Sequence, residues 1–543
     1  MGNLMRKISV ILFLATLAGT CTTFAEQLDN DFNPETVIHD NPSQLQSIPL
    51  LQSLKNINND QEFHAPYVQD LKNHNAVRSL FVESQDLPMV DIQLTFNAGS
   101  ARDLEIGQGL YGLSNMAANL MDEGTEKYNA YQIINAFEQS GAQFSIQAYR
   151  DMFIVHLRVL SDPKKLEPAL SMMLEVLNHA TFKNNSINLA VSNTQVGQKQ
   201  LKESPSRLMS IKFYREVYGA HPYAQPITGT NGGLKKITSD DLKQFRDQFI
   251  VAQNMNIAIT GKLTTKEARS LSKRISAHLK QGKKAQPLAL PQPKTTLNIV
   301  HIPYDSSQGH VMFGQLGTTR NDPDRLALEV ANRMFGGGGF NSILMQELRI
   351  KRGYTYGAYS SFSFSQAPGT FSFSYSTRQD QLIESIKVAY QALTQFVQQP
   401  IDREQLEETK AGMLRAFPNN YSSNRAINAQ LGSLGFYGHP ADYLDEYPKL
   451  LEKITAEDVQ NAVRKHLHPE QMTLIVVSKE LNKTNLKDIL LNHQQSEPLS
   501  SKDSAPLISS QPIQTIAQPK AEVDAPAQSQ NDKPALTSNT APY

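Results

Sequence analysis

Arg349 and Tyr356 lie seven positions apart in the segment 348–356, and both side chains could hold a peptide by its backbone. The guanidinium of Arg349 presents a planar set of N–H donors that matches a peptide carbonyl or a C-terminal carboxylate. The phenol of Tyr356 can donate to the same backbone. On spacing alone, an arginine paired with an acid and a tyrosine packed on a strand are the more ordinary explanation.

Four consecutive glycines precede this pair: Gly336, Gly337, Gly338 and Gly339. A phosphate-binding loop is excluded because no Gly-Lys-Ser/Thr follows them. Glycine permits backbone conformations and close contacts that a Cβ atom would prevent. The run therefore predicts a flexible turn where another backbone comes close.

Other catalytic schemes have little support in the sequence. There is no Gly-x-Ser-x-Gly segment, and the single cysteine, Cys21, lies at the extreme N-terminus, so serine- or cysteine-type acyl transfer is not indicated. None of the 13 histidines has another histidine four positions away. Lys+Arg and Asp+Glu both total 52, so charge gives no indication of nucleic-acid binding.

The elements that must position these residues occur twice along the chain. Residues 237–242 are similar to residues 454–459, and residues 254–259 are similar to residues 471–476 at the same offset. Thr238 and Thr455 each precede a helical pattern and have an acid three positions on, which predicts a capping box in both copies. We therefore predict an α+β fold: a tandem duplication of two homologous domains, each an antiparallel sheet packed with helices.

Periodicity and turn residues predict the individual elements. Strands are expected at 90–97, 144–159, 309–315, 357–364 and 369–376. Helices are expected at 112–121, 131–140, 241–249, 325–335 and 458–466.

The ends of the chain differ in composition from its middle. Arg6 and Lys7 precede an apolar run that is too short to span a bilayer, and small residues follow it, which predicts a secretory signal. The last stretch is rich in Ser, Pro, Gln and Ala and is expected to be disordered. The predicted organisation is a signal peptide at 1–25, an extended arm at 26–70, a first α+β domain at 71–285, a proline-rich linker at 286–295, a second α+β domain at 296–485 and a disordered tail at 486–543. Export to a periplasm is expected; secretion, or a lipid anchor on Cys21, are the alternatives.

Together these features resemble the pitrilysin/insulinase family of zinc peptidases over about residues 70–485. In that family an arginine and a tyrosine with this spacing hold the peptide, and an inverted His-x-x-Glu-His helix binds the zinc. Residues 112–125 are similar to the zinc helix in length, flanks and ending, but they place Asn115 and Asn119 at the histidine positions and Ala118 at the glutamate position. Neutral amides are poor zinc ligands, and alanine cannot accept a proton.

The family's third, acidic zinc ligand is expected on a later helix. Residues 176–202 contain neither Asp nor Glu, and the polar residues there include Gln195 and Gln198. The sequence therefore predicts that this chain holds no metal and no cofactor of its own.

In some branches of the family a zinc-bearing chain and a zinc-free chain form one peptidase. The resemblance implies that this chain is the zinc-free subunit, with zinc in its partner. It also implies that Arg349, Tyr356 and the glycines hold an extended peptide substrate. Neither nucleic acid nor a transmembrane segment in the mature chain is expected. Two alternatives stay open: a stand-alone peptide-binding or scaffold protein, and an active metallopeptidase with unrecognised ligands.

Overall fold

A computed structural model describes residues 65–71, 77–201 and 203–492 of the chain. The predicted signal peptide, most of the predicted arm and most of the predicted tail lie outside these residues. Among the helices that are described, none has the length and apolar character needed to cross a membrane.

The first half of the described chain contains one sheet and the helices that cover it. Its strands are β1 (Gln69–Asp70), β2 (Arg78–Glu83), β3 (Met89–Phe96), β4 (Gln143–Ala148), β5 (Phe153–Leu160) and β6 (Met255–Gly261). Its helices are α1 (Asp103–Ile106), α2 (Leu113–Leu120), α3 (Ala130–Gln139), α4 (Pro163–His179), α5 (Asn184–Leu201), α6 (Pro205–Tyr218), α7 (Asn231–Leu234), α8 (Ser239–Phe249) and α9 (Thr265–His278).

The second half repeats this plan. Its strands are β7 (Asn298–Pro303), β8 (Gln308–Leu316), β9 (Ala358–Phe362), β10 (Thr370–Arg378) and β11 (Thr473–Ser478). Its helices are α10 (Arg325–Asn332), α11 (Ile343–Met345), α12 (Leu382–Gln398), α13 (Arg403–Ala416), α14 (Asn424–Tyr437), α15 (Tyr443–Lys453), α16 (Ala456–His466) and α17 (Lys483–Asn492).

The two sheets have the same strand order, which confirms the predicted α+β fold with a tandem duplication. The first sheet runs β1-β2-β6-β3-β5-β4 and the second runs β7-β11-β8-β10-β9, so each strand after β1 has a counterpart. Both sheets are antiparallel except for one parallel pair in each half, β2 with β6 and β7 with β11 among the strands described. The two strands of each parallel pair lie near opposite ends of a half, so most of the chain of that half connects them.

The predicted capping boxes are present in both copies. Thr238 Oγ1 accepts a hydrogen bond from the Asp241 backbone N–H at 3.2 Å, and Thr455 Oγ1 accepts one from Asp458 at 3.1 Å. In both cases the threonine backbone N–H donates in return to the carboxylate of the acid. These exchanges satisfy N–H groups at the helix start, and they fix the start of α8 and α16 at equivalent points.

Two predicted boundaries need correction. The tail was expected to begin at 486, but α17 extends to Asn492, and Leu486 and Leu490 are each about 1% exposed within the second core. These leucines are one helical turn apart, so a single face of the helix can bury both. At the other end, the last residues of the predicted arm form β1 and pair with β2.

One helix of each half packs on the sheet of the other half. The side chains of α6 in the first half, including Phe213, pack against Ile475 and Val477 of β11 in the second half. In return, α14 packs on β2, β3 and β6 of the first half through Leu431 and Leu434. Each half therefore buries one face of its sheet under a helix that belongs to the other half.

Hydrogen bonds also join α14 to the first sheet. Beneath α14, Asn428 donates to the Asp91 carbonyl at 3.1 Å, and Asn256 donates to the Gly432 carbonyl at 3.2 Å. Asp91 is fully buried and receives two hydrogen bonds from Arg158 at 2.9 and 3.0 Å. Burial opposes ionisation of this carboxyl group, but hydrogen bonds from His156 and Arg158 outweigh it and hold the pKa of Asp91 below its usual range.

Candidate functional site

Helix α2 carries the positions at which the family places its zinc ligands. Asn115 is half-buried and Asn119 is exposed one helical turn later, while Ala118 is only 5% exposed. The two amides thus lie on one face of the helix, as two metal-binding imidazoles would.

Asp103 fixes the start of this helix. Its carboxylate accepts hydrogen bonds from the backbone N–H groups of Gly112 at 2.7 Å and Ser114 at 2.9 Å. Gly112 has φ +101°, a left-handed conformation that favours glycine. Burial of the carboxyl group raises the pKa of Asp103 to about 7, although the hydrogen bonds from Ser114 and Gly112 oppose the shift. No motif in the sequence marks Asp103; its position ahead of the helix that resembles the zinc helix was the available signal.

The residues around Asn115 and Asn119 do not fit a zinc site. Zinc in peptidases is held by imidazole, thiolate or carboxylate ligands, and neutral amides are not among them. Helix α5 packs against α2 but contributes no acid, and Gln198 on α5 donates its Nε2 hydrogen to the Gly229 carbonyl at 2.9 Å. Nothing at position 118 can take a proton from a bound water. We therefore assign no metal chemistry to this helix.

Within the described part of the chain, one group of side chains has metal-like spacing, and it lies in the second half. It consists of Asp322, Asp324 and His466. His466 Nε2 contacts Asp324 Oδ2 at 2.9 Å, and Lys465 Nζ contacts the same oxygen at 2.6 Å. These contacts join the C-terminal end of α16 to the segment that starts α10. The cluster therefore has a structural role that requires no cation, in keeping with the prediction that His466 belongs to a helix end.

Arg349 and Tyr356 are brought together at the surface of the second half. Helix α11 continues as a wider, π-helical turn over Gln346–Ile350, and the chain then reverses at Gly353, which has φ +63°. Arg349 Nη1 donates to the Tyr356 carbonyl oxygen, so the guanidinium is held against the backbone of its predicted companion. The Tyr356 side chain is 86% exposed.

The Arg349 guanidinium also stacks on an aromatic ring. Its Cζ atom lies 4.6 Å from the centroid of Phe340, whose side chain is 56% exposed. The stacking orients the guanidinium and leaves N–H groups at its edge, which have no further partner among the residues described. Phe340 directly follows the four glycines, but its contact with Arg349 could not be read from the sequence.

Ion pairs anchor the turn between Arg349 and Tyr356. Glu347 is 8% exposed and contacts Lys351 Nζ at 2.5 Å and Arg352 Nη1 at 2.6 Å. Arg352 donates in addition to the Glu347 carbonyl at 3.0 Å. The neighbouring cations are thus held by Glu347, whereas Arg349 is held by a ring and a carbonyl.

The four glycines do not form one open loop. Gly336 and Gly337 belong to a helical turn that continues helix α10. Arg333–Gly337 is a π-helical turn, and Gly339–Asn341 is a short 3₁₀ turn. A Cβ atom on Gly336 would lie 2.7 Å from the Ser360 backbone nitrogen, so β9 can approach this turn only because residue 336 is glycine. Gly339 has φ +73° and opens the turn that presents Phe340.

Comparisons with known proteins agree with this geometry. The chain matches the profile of the insulinase (peptidase M16) family over residues 80–231 and that of the peptidase M16 inactive domain over residues 236–413. A non-peptidase homolog, YmxG of Helicobacter pylori, is 21% identical over 412 residues, covering 75% of this chain and 93% of that protein.

Solved structures show the same fold. The peptidase M16 inactive domain from Pseudomonas fluorescens is 32% identical with a TM-score of 0.71, covering 76% of this chain and 98% of that chain. The periplasmic protease PqqL from Escherichia coli is 14% identical with a TM-score of 0.67; the match covers 82% of this chain but only 52% of PqqL.

Proposed function

Because this chain belongs to the M16 family of peptidases, we propose that it is the zinc-free, non-catalytic subunit of an exported heterodimeric peptidase. In this proposal Arg349 and Tyr356 hold an extended peptide substrate, and a partner of the same family supplies the zinc. The observation that carries it is the contrast between the two halves. Helix α2 has Asn115, Ala118 and Asn119 at the positions where two zinc ligands and a proton acceptor are needed. Arg349 and Tyr356, in contrast, lie together at the surface.

The physical reason for two subunits is a division of labour. A zinc site polarises the carbonyl and activates water, whereas a second surface can fix the peptide in an orientation that reaches the metal. Arg349 and Tyr356 can fix a peptide backbone without contributing to bond cleavage. The length of PqqL supports the idea, since this chain spans about half of that protein, which leaves room there for a second unit of similar size.

The compartment is part of the same proposal. The N-terminal segment has the charge and apolar run of an export signal. PqqL, which shares the fold, is described as periplasmic. We therefore place the mature chain in a periplasm, with export of a tagged chain and cell fractionation as the direct measurement.

The main experiment mixes the purified chain with a zinc-bearing M16 relative encoded in the same genome and measures complex formation and peptide hydrolysis. We expect a stable complex whose kcat/KM falls roughly 10- to 100-fold with Arg349→Ala, because the peptide loses its orientation. Tyr356→Phe should give a smaller loss, since only one hydrogen bond is removed.

Two matched variants serve as controls. Arg378→Ala removes an exposed arginine that pairs with Asp380, and Tyr131→Phe removes the hydroxyl of a tyrosine on α3 that is 77% exposed. Both should leave hydrolysis of a Gly/Ser-rich peptide unchanged. The proposal fails if no complex forms and Arg349→Ala leaves the relative's hydrolysis unaltered.

Metal analysis separates the remaining alternatives. Stoichiometric zinc in the purified chain, with cleavage that a chelator abolishes, would overturn the proposal in favour of an active metallopeptidase. A zinc-free homodimer that binds peptide and forms no complex with an M16 relative would point to a stand-alone binding protein.

A further inference from the structure

Exposed aromatic side chains are concentrated around Arg349. Phe340, Tyr356 and Tyr359 are 56%, 86% and 57% exposed. We call these three residues the aromatic surface. They are linked through Arg349, which stacks on Phe340 and donates to the Tyr356 carbonyl, and through the Tyr359 ring, which lies over Gly357. Grouped exposed aromatic residues on a soluble protein are typical of a binding site.

The charge of this region is positive. Arg349, Lys351 and Arg352 lie within four positions, and their acidic neighbour Glu347 is almost fully buried. Glu347 neutralises part of the charge on Lys351 and Arg352 through the ion pairs described above. Arg349 retains N–H groups at its edge for an anionic or carbonyl oxygen. A bound segment with carboxylates would complement this surface, whereas a basic segment would be repelled.

We propose that the peptide recognised here carries an aromatic side chain flanked by acidic residues, with Phe340 as the residue that selects the aromatic group. This inference rests on the proposed function. The peptide backbone occupies Arg349 and Tyr356, its aromatic side chain packs against the exposed part of the Phe340 ring, and its carboxylates face the cations. Phe340 is therefore a specificity-determining residue, separate from the two residues that hold the backbone.

The test measures binding of three synthetic peptides to the mature full-length chain. The first has Asp-Phe-Asp at the centre of a Gly/Ser sequence, the second has Ala in place of Phe, and the third has Lys in place of both Asp residues. We expect the first to bind about 5- to 10-fold more tightly than the second, because a contact between two aromatic rings increases affinity by about this factor. We expect the Lys peptide to bind more weakly than the first, and added salt to reduce the difference.

The variants assign the preference to particular residues. Phe340→Ala should abolish the preference for the Phe peptide over the Ala peptide. Any loss of Arg349 orientation, which the Phe340 ring supports, should weaken both peptides equally. Arg349→Ala should weaken the peptides with Phe and with Ala alike. Tyr131→Ala, at a tyrosine of the first half that is 77% exposed, is the matched control and should change nothing. Phe340→Leu should retain part of the preference, which separates loss of the ring from misfolding.

The outcomes distinguish the two proposals. If Arg349→Ala weakens binding but Phe340→Ala does not reduce the preference for Phe, the aromatic inference is wrong and the peptide grip stands. If none of the peptides binds at millimolar concentration, or if Arg349→Ala has no effect, both are wrong. As a second readout, a photoreactive phenylalanine in the first peptide should crosslink within residues 340–359; labelling only elsewhere would also overturn the inference.

Discussion

Asp103 holds the start of the former zinc helix through hydrogen bonds from Gly112 and Ser114. Its side chain is buried, so these are the contacts that offset its desolvation. The helix is thus held in position although Asn115 and Asn119 are not zinc ligands. A helix can keep this shape without such ligands, since capping and packing depend on other residues.

The raised pKa of Asp103 predicts a pH-dependent stability. Because its pKa is near 3.8 when unfolded and about 7 when folded, the neutral form is favoured by folding. The contribution of Asp103 to the free energy of unfolding should be greatest below about pH 4 and be lost as the pH rises to about 7, by up to about 4 kcal/mol. Asp103→Asn should remove most of this slope between pH 5 and 7. Urea denaturation at several pH values measures it, and an unchanged slope would contradict the prediction.

Gly336 is predicted to be intolerant of even one methyl group. In Gly336→Ala the new Cβ would meet the Ser360 backbone at 2.7 Å, so the turn and β9 must separate. We expect a loss of roughly 1–3 kcal/mol in the free energy of unfolding. Gly412→Ala on α13 is the control, because its Cβ would meet only the Arg415 side chain at 4.0 Å and should stabilise the helix by up to about 1 kcal/mol. Equal effects of the two substitutions would show that the close approach is not the cause.

At the scale of elements, the exchanged helices produce the strongest prediction. Phe213 on α6 is 1% exposed and lies against β8, where a Cβ on Gly314 would come 2.5 Å from its ring. Phe213→Ala should lower the free energy of unfolding by about 3–5 kcal/mol through the cavity it leaves. Although Phe213 belongs to the first half, hydrogen exchange should accelerate in β8 and β11 more than in β3.

Tyr131→Ala provides the reference for this measurement. Tyr131 is exposed on α3, so its removal should change the free energy of unfolding by less than about 0.5 kcal/mol and leave exchange unaltered. If Phe213→Ala accelerated exchange mainly in the first sheet, the packing of α6 on the second sheet would be contradicted.

The strands and helices that the sequence predicted lie close to those of the structure. The helix expected at 112–121 is Leu113–Leu120, and the strand expected at 309–315 is Gln308–Leu316. The run at 144–159 was predicted as one strand, because the turn between β4 and β5 has no glycine or proline. The π-helical turns around the glycines and Arg349 could not be predicted, since they depend on how β9 packs beside them.

At the scale of the whole molecule, the two halves should behave as one cooperative unit. Helix α6 precedes the linker and packs on the second sheet, while α14 follows the linker and packs on the first. Separating the halves would expose both buried surfaces, which apolar burial strongly opposes. A specific protease site inserted after Gln286, in the exposed linker, should therefore allow cleavage without dissociation.

Size-exclusion chromatography and thermal unfolding test this expectation. The two fragments should co-elute and unfold in a single transition at the position of the uncut chain, or slightly below it. Treatment of the parent chain with the same protease is the control. Fragments that separate in ordinary buffer would contradict a shared core.

By itself, the sequence determined the duplication, the fold class, the loss of the zinc ligands and the candidate peptide-holding pair. Each of these depends on residue types and local spacing, which are present in the chain before it folds. Three features are visible only in the folded molecule. Helix α6 packs on the second sheet and α14 on the first, Asp103 supports α2, and Phe340 stacks on Arg349. These contacts join segments whose pairing is selected by the packing of whole elements, and no local pattern specifies it.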